Sequence, residues 1–515
     1  MKITTTSLVT IVCLLSMVNG ARILAIFPFN VKSHYIVFEP LLKRLSARGH
    51  EIVAVTHFPQ RIRLANFTDV DVSSALPSRI NTIPLINITI WQSILRFMSS
   101  EFCEFVLSHP EIKRIINAKE HFDLLVIEMF ASDCFLGIAH ALNISKIVGA
   151  ISSAGLLRTN VMLRNPENPS YIPNYFSSYT GRMNLLERSF NTVLLLIVNS
   201  GFRILSDRSS YEVARKYLGH DLPDFDALRS RISLILTNGH PAVSVARPLA
   251  PGVKEIGGIH IPISGPKPLP MDLQDYLDSQ SRNGVIYFSL GSQIDTSTIP
   301  NQVFAALYRA FEQVPQQILW TCAKERMPPL PGNVKCIGWA PQLSVLCHSN
   351  TRLLIYHGGL LGLQEAIYCG VPILGIPVFG DHRLNMAYVV EKGLALQLDL
   401  QQFSYKRFSS SLNEILSNKS YTEMARKASF QFKDRLMSPV EEATYWVEHT
   451  IRHDPNFLKT AAIELTWYEY LLLDVALMMI SIIVFALWLI CKLFSLLFSK
   501  KKIIIIIEDN VKKIK

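Results

Sequence analysis

The stretch from Ile337 to Asn385, IGWAPQLSVLCHSNTRLLIYHGGLLGLQEAIYCGVPILGIPVFGDHRLN, constrains the fold of this chain more than any other. Leu353–Tyr356 is apolar and bulky, with the length of a buried parallel strand. His357-Gly358-Gly359 follows at once, and a helical pattern runs from about Leu361 to Cys369. Gly370-Val371-Pro372 halts that helix, and Ile373–Ile376 starts another strand.

A strand, a His-Gly-Gly turn and a helix start form a place for a phosphate. Glycines such as Gly359 and Gly362 let backbone amides approach a ligand, and the helix start offers unpaired N–H groups at its positive dipole end. Glu365, within the first turns of that helix, can accept hydrogen bonds from ribose hydroxyls. Upstream, Trp339 can stack on a base and Gln342 can hydrogen-bond to it, while Asp381 and His382 follow the next strand, where a sugar would reach. Taken singly, each of these residues reads as a turn, a core side chain or a solvated helix face. The ordered set is what carries the inference.

That set resembles the signature of the UDP-glycosyltransferases: Trp-x-Pro-Gln, His-Gly-Gly, Glu-Ala, Gly-Val-Pro, then Pro-x-x-x-Asp-Gln with a nearby Asn. Here it stands as Trp339-Ala340-Pro341-Gln342, His357-Gly358-Gly359, Glu365-Ala366, Gly370-Val371-Pro372, Pro377, Asp381 and Asn385. The resemblance extends over nearly the whole chain and is nearest to the insect, membrane-anchored branch. Two positions depart from the pattern. Tyr356 stands where Ser or Thr is usual, and His382 where Gln is usual. In the family that Gln contacts the donor sugar, so His382 leaves the choice of sugar open.

The chain has 515 residues and a formal charge of +10. From Lys492 to Lys515 seven lysines face only Glu508 and Asp509, so this tail alone carries +5 and a nucleic-acid surface is not implied. Residues 1–20 read as a secretory signal, with Lys2, an apolar core over Leu8–Val18 and small residues before Ala21. Entry to the secretory pathway makes Asn66, Asn87, Asn143 and Asn418 candidate glycosylation sites, whereas Pro169 blocks Asn168. Cys103, Cys134, Cys322, Cys336, Cys347 and Cys369 lie outside the signal and the anchor. Those from Cys322 to Cys369, around the donor stretch, are expected as buried free thiols rather than a disulfide framework, although the compartment permits bridges.

Ala21–Phe27, Tyr35–Arg48 and Glu51–Thr56 read as strand, helix and strand, the start of a parallel sheet. His34 closes the first strand-to-helix loop, at the carboxyl edge where open α/β sheets bind ligands. The resemblance makes this loop the one that carries the catalytic base. An imidazole titrating near neutrality can take a proton from an acceptor hydroxyl. A carboxylate must hold that imidazole, and two candidates stand open: Glu128, at the end of the strand beginning near Phe122, and Asp133. From Arg158 to Arg203 the pattern is irregular and proline-containing, and the resemblance makes it the variable acceptor region, touching the membrane or forming a plain surface excursion. Ile232–Asn238 closes the first domain, and the seven prolines between Pro241 and Pro270 mark the crossing. The second domain opens with the strand Val285–Leu290, where Ser289, Gly291 and Ser292 can offer amides and hydroxyls to a donor.

Leu471–Cys491 is nearly all apolar and long enough to span a bilayer. Lys492 and Lys500-Lys501-Lys502 place the tail in the cytosol, and Lys512-Lys513 resembles a dilysine retrieval signal for the endoplasmic reticulum. The expected architecture is α/β, with two Rossmann-like domains (21–265 and 266–465) facing across a cleft in the glycosyltransferase GT-B manner. A transmembrane helix (471–491) and a cytosolic tail (492–515) complete it. The resemblance implies inverting transfer of a hexose, most simply from UDP-glucose, to a hydroxyl of a small lipophilic acceptor, in detoxification or in hormone or pigment conjugation. UDP-sugar is then a cosubstrate, with no cofactor and no metal. Asp69-Val-Asp71 and Asp224-Phe-Asp226 have a metal-type spacing but lie outside the donor stretch. The expected setting is the endoplasmic reticulum membrane, single-pass type I, with the bulk in the lumen and homo-oligomers an option. Two alternatives stand beside this reading: a transferase acting on a lipid or protein acceptor, and a membrane-anchored sugar-nucleotide binder without catalysis.

Overall fold

The computed structural model describes residues 20–74, 83–84, 101–130, 133–154, 159–323 and 327–514. The expected signal segment, residues 1–19, and the sequon at Asn87 lie outside them. The chain divides into two compact units, one ending at Lys459 and the other running from Thr460 to Lys515.

The first unit holds β1 (Arg22–Phe27), β2 (Glu51–Thr56), β3 (Phe67–Asp71), β4 (Ile83–Pro84), β5 (Leu124–Glu128), β6 (Ile147–Ile151), β7 (Ile232–Thr237) and β8 (Val253–Glu255). Then come β9 (Val285–Ser289), β10 (Ile294–Asp295), β11 (Gln317–Thr321), β12 (Val334–Ile337), β13 (Thr351–Tyr356), β14 (Ile373–Gly375) and β15 (Ala395–Gln397). They build a seven-stranded sheet in the order β3-β2-β1-β5-β6-β7-β8 and a six-stranded sheet in the order β12-β11-β9-β13-β14-β15, with β4 and β10 forming a separate pair. The ladders of both large sheets are parallel. Their central strands are continuous apolar runs, buried along their length in β5, β6, β7 and β9, as sheets covered by helices on both faces require.

In each sheet the strand order reverses direction once, between β1 and β5 in the first and between β9 and β13 in the second. Loops leaving the carboxyl ends of such a strand pair turn to opposite faces and leave a crevice between them. His34 follows β1 and Glu128 ends β5; Gly291 follows β9 and His357 follows β13. The four positions that matter most for chemistry therefore sit at the two crevices.

The structure amends several expectations. The first helix spans Lys32–Ala47, so His34 lies in its first turn rather than in the loop before it. The segment expected to be irregular up to Arg203 is helical from Leu185 to Gly201, continues as a π-turn over Phe202–Asp207, and runs on to Leu218. Asn184 and Glu187 close a capping box that starts it, beyond the last of the prolines. The proline-rich crossing contains β8, which extends the first sheet. The helix Pro439–Arg452, which the expected 266–465 domain contained, returns to the first sheet: Val440, Ala443 and Val447 join its core, and Arg48 holds Glu448 at 2.9 Å.

The expectation of free thiols from Cys322 to Cys369 is overturned. Cys103 pairs with Cys134, Cys322 with Cys336 and Cys347 with Cys369. Adjacency explains the second pair, because Cys336 lies on β12 opposite the end of β11, two residues before Cys322. The third joins the helices Gln342–Leu346 and Leu360–Cys369 at their ends. Of the two residues noted for metal-type spacing, Asp224 caps the helix Phe225–Ser230 and Asp226 pairs with Arg229.

The second unit consists mainly of one helix, Leu473–Ile514. Its segment Leu473–Phe498 is long and apolar enough to cross a membrane, and the helix runs on through the lysines without a break at Cys491.

Candidate active site

His34 projects from the first turn of its helix between the ends of β5 and β6. Its Nδ1 lies 2.6 Å from Glu128 Oε1 and 3.1 Å from the Ser152 hydroxyl. Glu128 is buried. A carboxylate on Nδ1 fixes the tautomer, with the proton on Nδ1 and the lone pair on Nε2. Rings of Phe29 and Phe130 stand 4.7 and 4.4 Å from the imidazole, and Phe102 stands against Phe29. The imidazole thus stands among aromatic rings.

Asp133, the other candidate partner, is turned away from His34. It accepts from Arg229 Nε at 2.6 Å, and the same guanidinium reaches Asp207 and Asp226 at 2.8 Å each. Burial works against the guanidinium, but Asp133 and Asp207 outweigh it and hold Arg229 firmly charged. This cluster joins the end of β5 to the helices behind it and is structural.

The residues expected to bind the donor gather at the second crevice. The helix Leu360–Cys369 starts at Gly359 and ends on Gly370, whose φ of +70° takes the left-handed cap that side chains disfavour. His357 is buried, and burial lowers its pKa to about 3, so it is a neutral imidazole that can donate or accept but carries no charge. Its Nδ1 has no hydrogen-bond partner among the described residues, an orphaned polar atom of the kind a bound phosphate would satisfy. Gly291, at φ +77°, makes room for that ring, since a Cβ there would lie 2.4 Å from His357 Cε1. Ser289 is buried and accepts from the Gly291 amide at 3.3 Å, while Ser292 is half-buried.

Gln342 Nε2 donates to Glu365 Oε2 at 2.5 Å. Burial raises the Glu365 pKa to about 7, against the pull of that bond. Trp339 is 67% exposed, with Lys32 Nζ 5.1 Å from the centre of its ring. Asp381 has its pKa raised by burial, opposed by Asn385 and by His34, which places the carboxyl within electrostatic reach of the base. His382 is buried behind His357, ring against ring at 4.5 Å, and packs on Phe379.

A line of hydrogen bonds joins the two crevices. Gln364, wholly buried on the helix after Gly359, donates to the Asn238 carbonyl at 2.8 Å and accepts from Gly258 at 3.1 Å. Asn238 Nδ2 donates to the Ser152 carbonyl at 3.1 Å, and the Ser152 hydroxyl reaches His34. A narrow pocket of about 40 Å³ lined by Ser153, Tyr175, Arg247, Asp381 and Asn385 lies beside this line.

Residues 77–505 match the family profile described as UDP-glucoronosyl and UDP-glucosyl transferase. The chain belongs to this family. It is 38% identical to UDP-glucosyltransferase 2 of Dactylopius coccus over 90% of each chain. It is 30% identical to 2-hydroxyacylsphingosine 1-beta-galactosyltransferase of Rattus norvegicus, over 89% of this chain and 85% of that one. Among solved structures it is similar to a UDP-glucose: anthocyanidin 3-O-glucosyltransferase in complex with UDP. That match has a TM-score of 0.57 and 17% identity, over 85% of this chain and all of that one, a likeness of GT-B fold. The protein is thus a UDP-glycosyltransferase, an enzyme that moves a sugar from a UDP-sugar. In this UDP-glycosyltransferase the sequence reading lacked Ser152, Phe29, Phe130 and Gln364. None has a local motif; Ser152 and Gln364 come into play only through partners 118 and 126 residues away.

Proposed function

We propose that this UDP-glycosyltransferase transfers a hexose, glucose from UDP-glucose in the simplest case, to a hydroxyl of a small lipophilic acceptor with inversion at the anomeric carbon. The observation that carries the reading is the His34–Glu128 pair at 2.6 Å, with Nε2 left to face an acceptor. Nε2 takes the proton of the attacking hydroxyl, and Glu128 stabilises the imidazolium that forms. The phenylalanines around His34 favour an apolar aglycone. Attack on the face opposite UDP breaks the anomeric C–O bond, and the leaving diphosphate takes its charge to the amides after Gly359. Neutral His357 acts there as a hydrogen-bond partner, not a counter-charge. Preorganised donors of this kind are usually the largest single catalytic contribution. Trp339, Gln342 and Glu365 are assigned to the nucleoside, and Ser289, Gly291, Ser292, Gly359 and Gly362 to the phosphate side. Asp381, with His382 behind His357, is assigned to the sugar.

The setting proposed is the endoplasmic reticulum membrane, with the catalytic unit in the lumen and the helix from Leu473 as a single span. Three cysteine pairs suit an oxidising compartment, and the lysines after Cys491 suit a cytosolic tail. The helix Leu185–Gly201 turns Leu185, Leu186, Val193, Leu196 and Ile197 outward, and this face is assigned to a membrane surface. Acceptors that partition into lipid would then be gathered near the catalytic unit.

The test is a panel of UDP-sugars against mixed phenols and aliphatic alcohols, with products read by mass. A glycoside whose formation is lost in His34→Ala, while UDP-sugar binding persists, supports the reading. Product formation unchanged in His34→Ala removes His34 as base. UDP-sugar binding with no transfer to any acceptor favours a binding protein instead.

A further inference from the structure

We propose that Gln364 is a positioning residue for the transfer step: its buried carboxamide ties the helix after Gly359 to the loop beside the catalytic base and so fixes how the two crevices face each other. The inference rests on the assignment of His34 as the base and adds the element that holds the donor in register with it.

The helix Leu360–Cys369 packs on both large sheets. Leu363, Ala366 and Ile367 enter the core of the six-stranded sheet, while Leu361 packs on the core of the seven-stranded one. Gln364 stands among them, wholly buried, where a methionine would fill a similar volume. A buried polar group left without partners costs about 1–3 kcal/mol, so a carboxamide here needs partners on both of its ends. It has them. Nε2 donates to the Asn238 carbonyl at 2.8 Å, and Oε1 accepts from the Gly258 amide at 3.1 Å. Asn238 follows β7, and Gly258 follows β8, where the chain crosses to the second domain. The glycine at 257 opens the way, since a Cβ there would lie 3.0 Å from Gln364 Nε2 and 2.4 Å from the Gly239 carbonyl oxygen.

The tie continues to the base. The Gly258 amide is shared with Asn238 Oδ1 at 3.3 Å, Asn238 Nδ2 donates to the Ser152 carbonyl at 3.1 Å, and the Asn238 amide donates to the Ile151 carbonyl at 3.0 Å. Ser152, which follows β6, keeps its hydroxyl 3.1 Å from His34 Nδ1. One carboxamide thus connects the helix whose start is assigned to the diphosphate with the residues around the imidazole. An acceptor oxygen at Nε2 must meet an anomeric carbon held from the other sheet, and a displacement of about 1 Å costs about 10²-fold in rate. Loosening the tie leaves each crevice intact and changes only their alignment. Water, which needs no seat in an acceptor pocket, then competes. Its oxygen attacks the anomeric carbon, the C–O bond to UDP breaks, and free sugar and UDP leave while the surplus proton goes to solvent.

The experiment compares glycoside formation with UDP-sugar hydrolysis in the full-length protein in detergent, using the UDP-sugar and phenol that the wild type turns over fastest, beside calorimetric titration with UDP. Gln364→Met keeps the volume and removes both bonds. Its kcat for transfer is expected to fall by about 10- to 100-fold, and hydrolysis per transfer to rise by at least about fivefold. UDP affinity should stay within about threefold of wild type, because the donor turn itself is untouched. A loss of folded protein lowers transfer and hydrolysis equally and leaves their ratio unchanged, so the ratio separates positioning from stability. Gln364→Asn, whose carboxamide is one carbon short of both partners, reads the same ratio should the Met variant fail to fold. A folded variant that binds UDP and keeps the wild-type ratio overturns the role of Gln364 alone, as does one whose UDP affinity falls by more than about tenfold. Wild type without transfer, or transfer unchanged in His34→Ala, overturns the base assignment and this inference with it.

Discussion

The carboxylate of Glu128 lies 2.6 Å from Nδ1 of His34, whereas Asp133, five residues further along the chain, is held by Arg229. The two acids look alike in sequence and differ in every consequence. Glu128→Gln keeps the shape but loses the charge that favours an imidazolium, so kcat should fall by about 10²- to 10⁴-fold with donor affinity intact. Asp133→Asn should leave the chemistry of the folded enzyme unchanged and cost about 3 kcal/mol or more of stability, because a buried guanidinium loses a partner. Steady-state kinetics and thermal melts on the two variants separate the roles; equal kinetic losses would contradict them.

Donor binding should depend on pH through Glu365. Its folded pKa is raised to about 7 by burial, from an ordinary 4.5. The sign follows from linkage: this group's contribution to stability is fully present below about 4.5 and is lost as pH rises through about 7. Ribose hydroxyls donating to the carboxylate favour its ionised form, so UDP should bind more tightly at pH 8 than at pH 6. Binding near pH 6.5 should release a proton, measurable as a binding enthalpy that changes with the ionisation heat of the buffer.

Gly291→Ala puts a methyl 2.4 Å from His357 Cε1 at a backbone φ of +77°. The imidazole must leave its place behind the donor turn. UDP affinity is expected to fall by at least about tenfold, while His34, on a helix beside the other sheet, keeps its pairing. Binding measured by calorimetry beside the melting midpoint distinguishes a displaced ring from a general loss of fold.

Removing the Cys347–Cys369 pair by a double change to alanine releases two helices that carry Gln342 and Glu365. Stability should fall by about 2–4 kcal/mol, with UDP restoring part of it. Thermal melts with and without UDP measure both.

The outward face of Leu185–Gly201 makes a spectroscopic prediction. Leu196 is exposed, so Leu196→Trp adds a reporter at little cost to packing. In proteoliposomes containing brominated phospholipid its emission should be quenched relative to unbrominated vesicles. Emission that is red-shifted and unquenched would leave this face in water.

The second crevice was legible in the sequence because it is nearly local. His357, Gly359, Gly362 and Glu365 lie within one turn and one helix, and backbone geometry alone brings them together. The alternation of strands and helices was legible for the same reason: each parallel strand declares itself as an apolar run, and each helix by its breakers. The choice between Glu128 and Asp133 was not, because it depends on Arg229, 96 residues from Asp133. Nor was the cysteine pairing, which follows from strands and helices becoming neighbours.

By itself, then, the sequence determined the elements, the glycine turns and the chemical types offered at each crevice, since these depend on side-chain bulk and backbone freedom over a few residues. Tertiary structure alone decided which carboxylate meets His34, that His382 stands behind His357, and that Tyr356 fills the space above Gly362. Burial and hydrogen-bond partners set those outcomes, and they exist only once strands distant along the chain lie side by side.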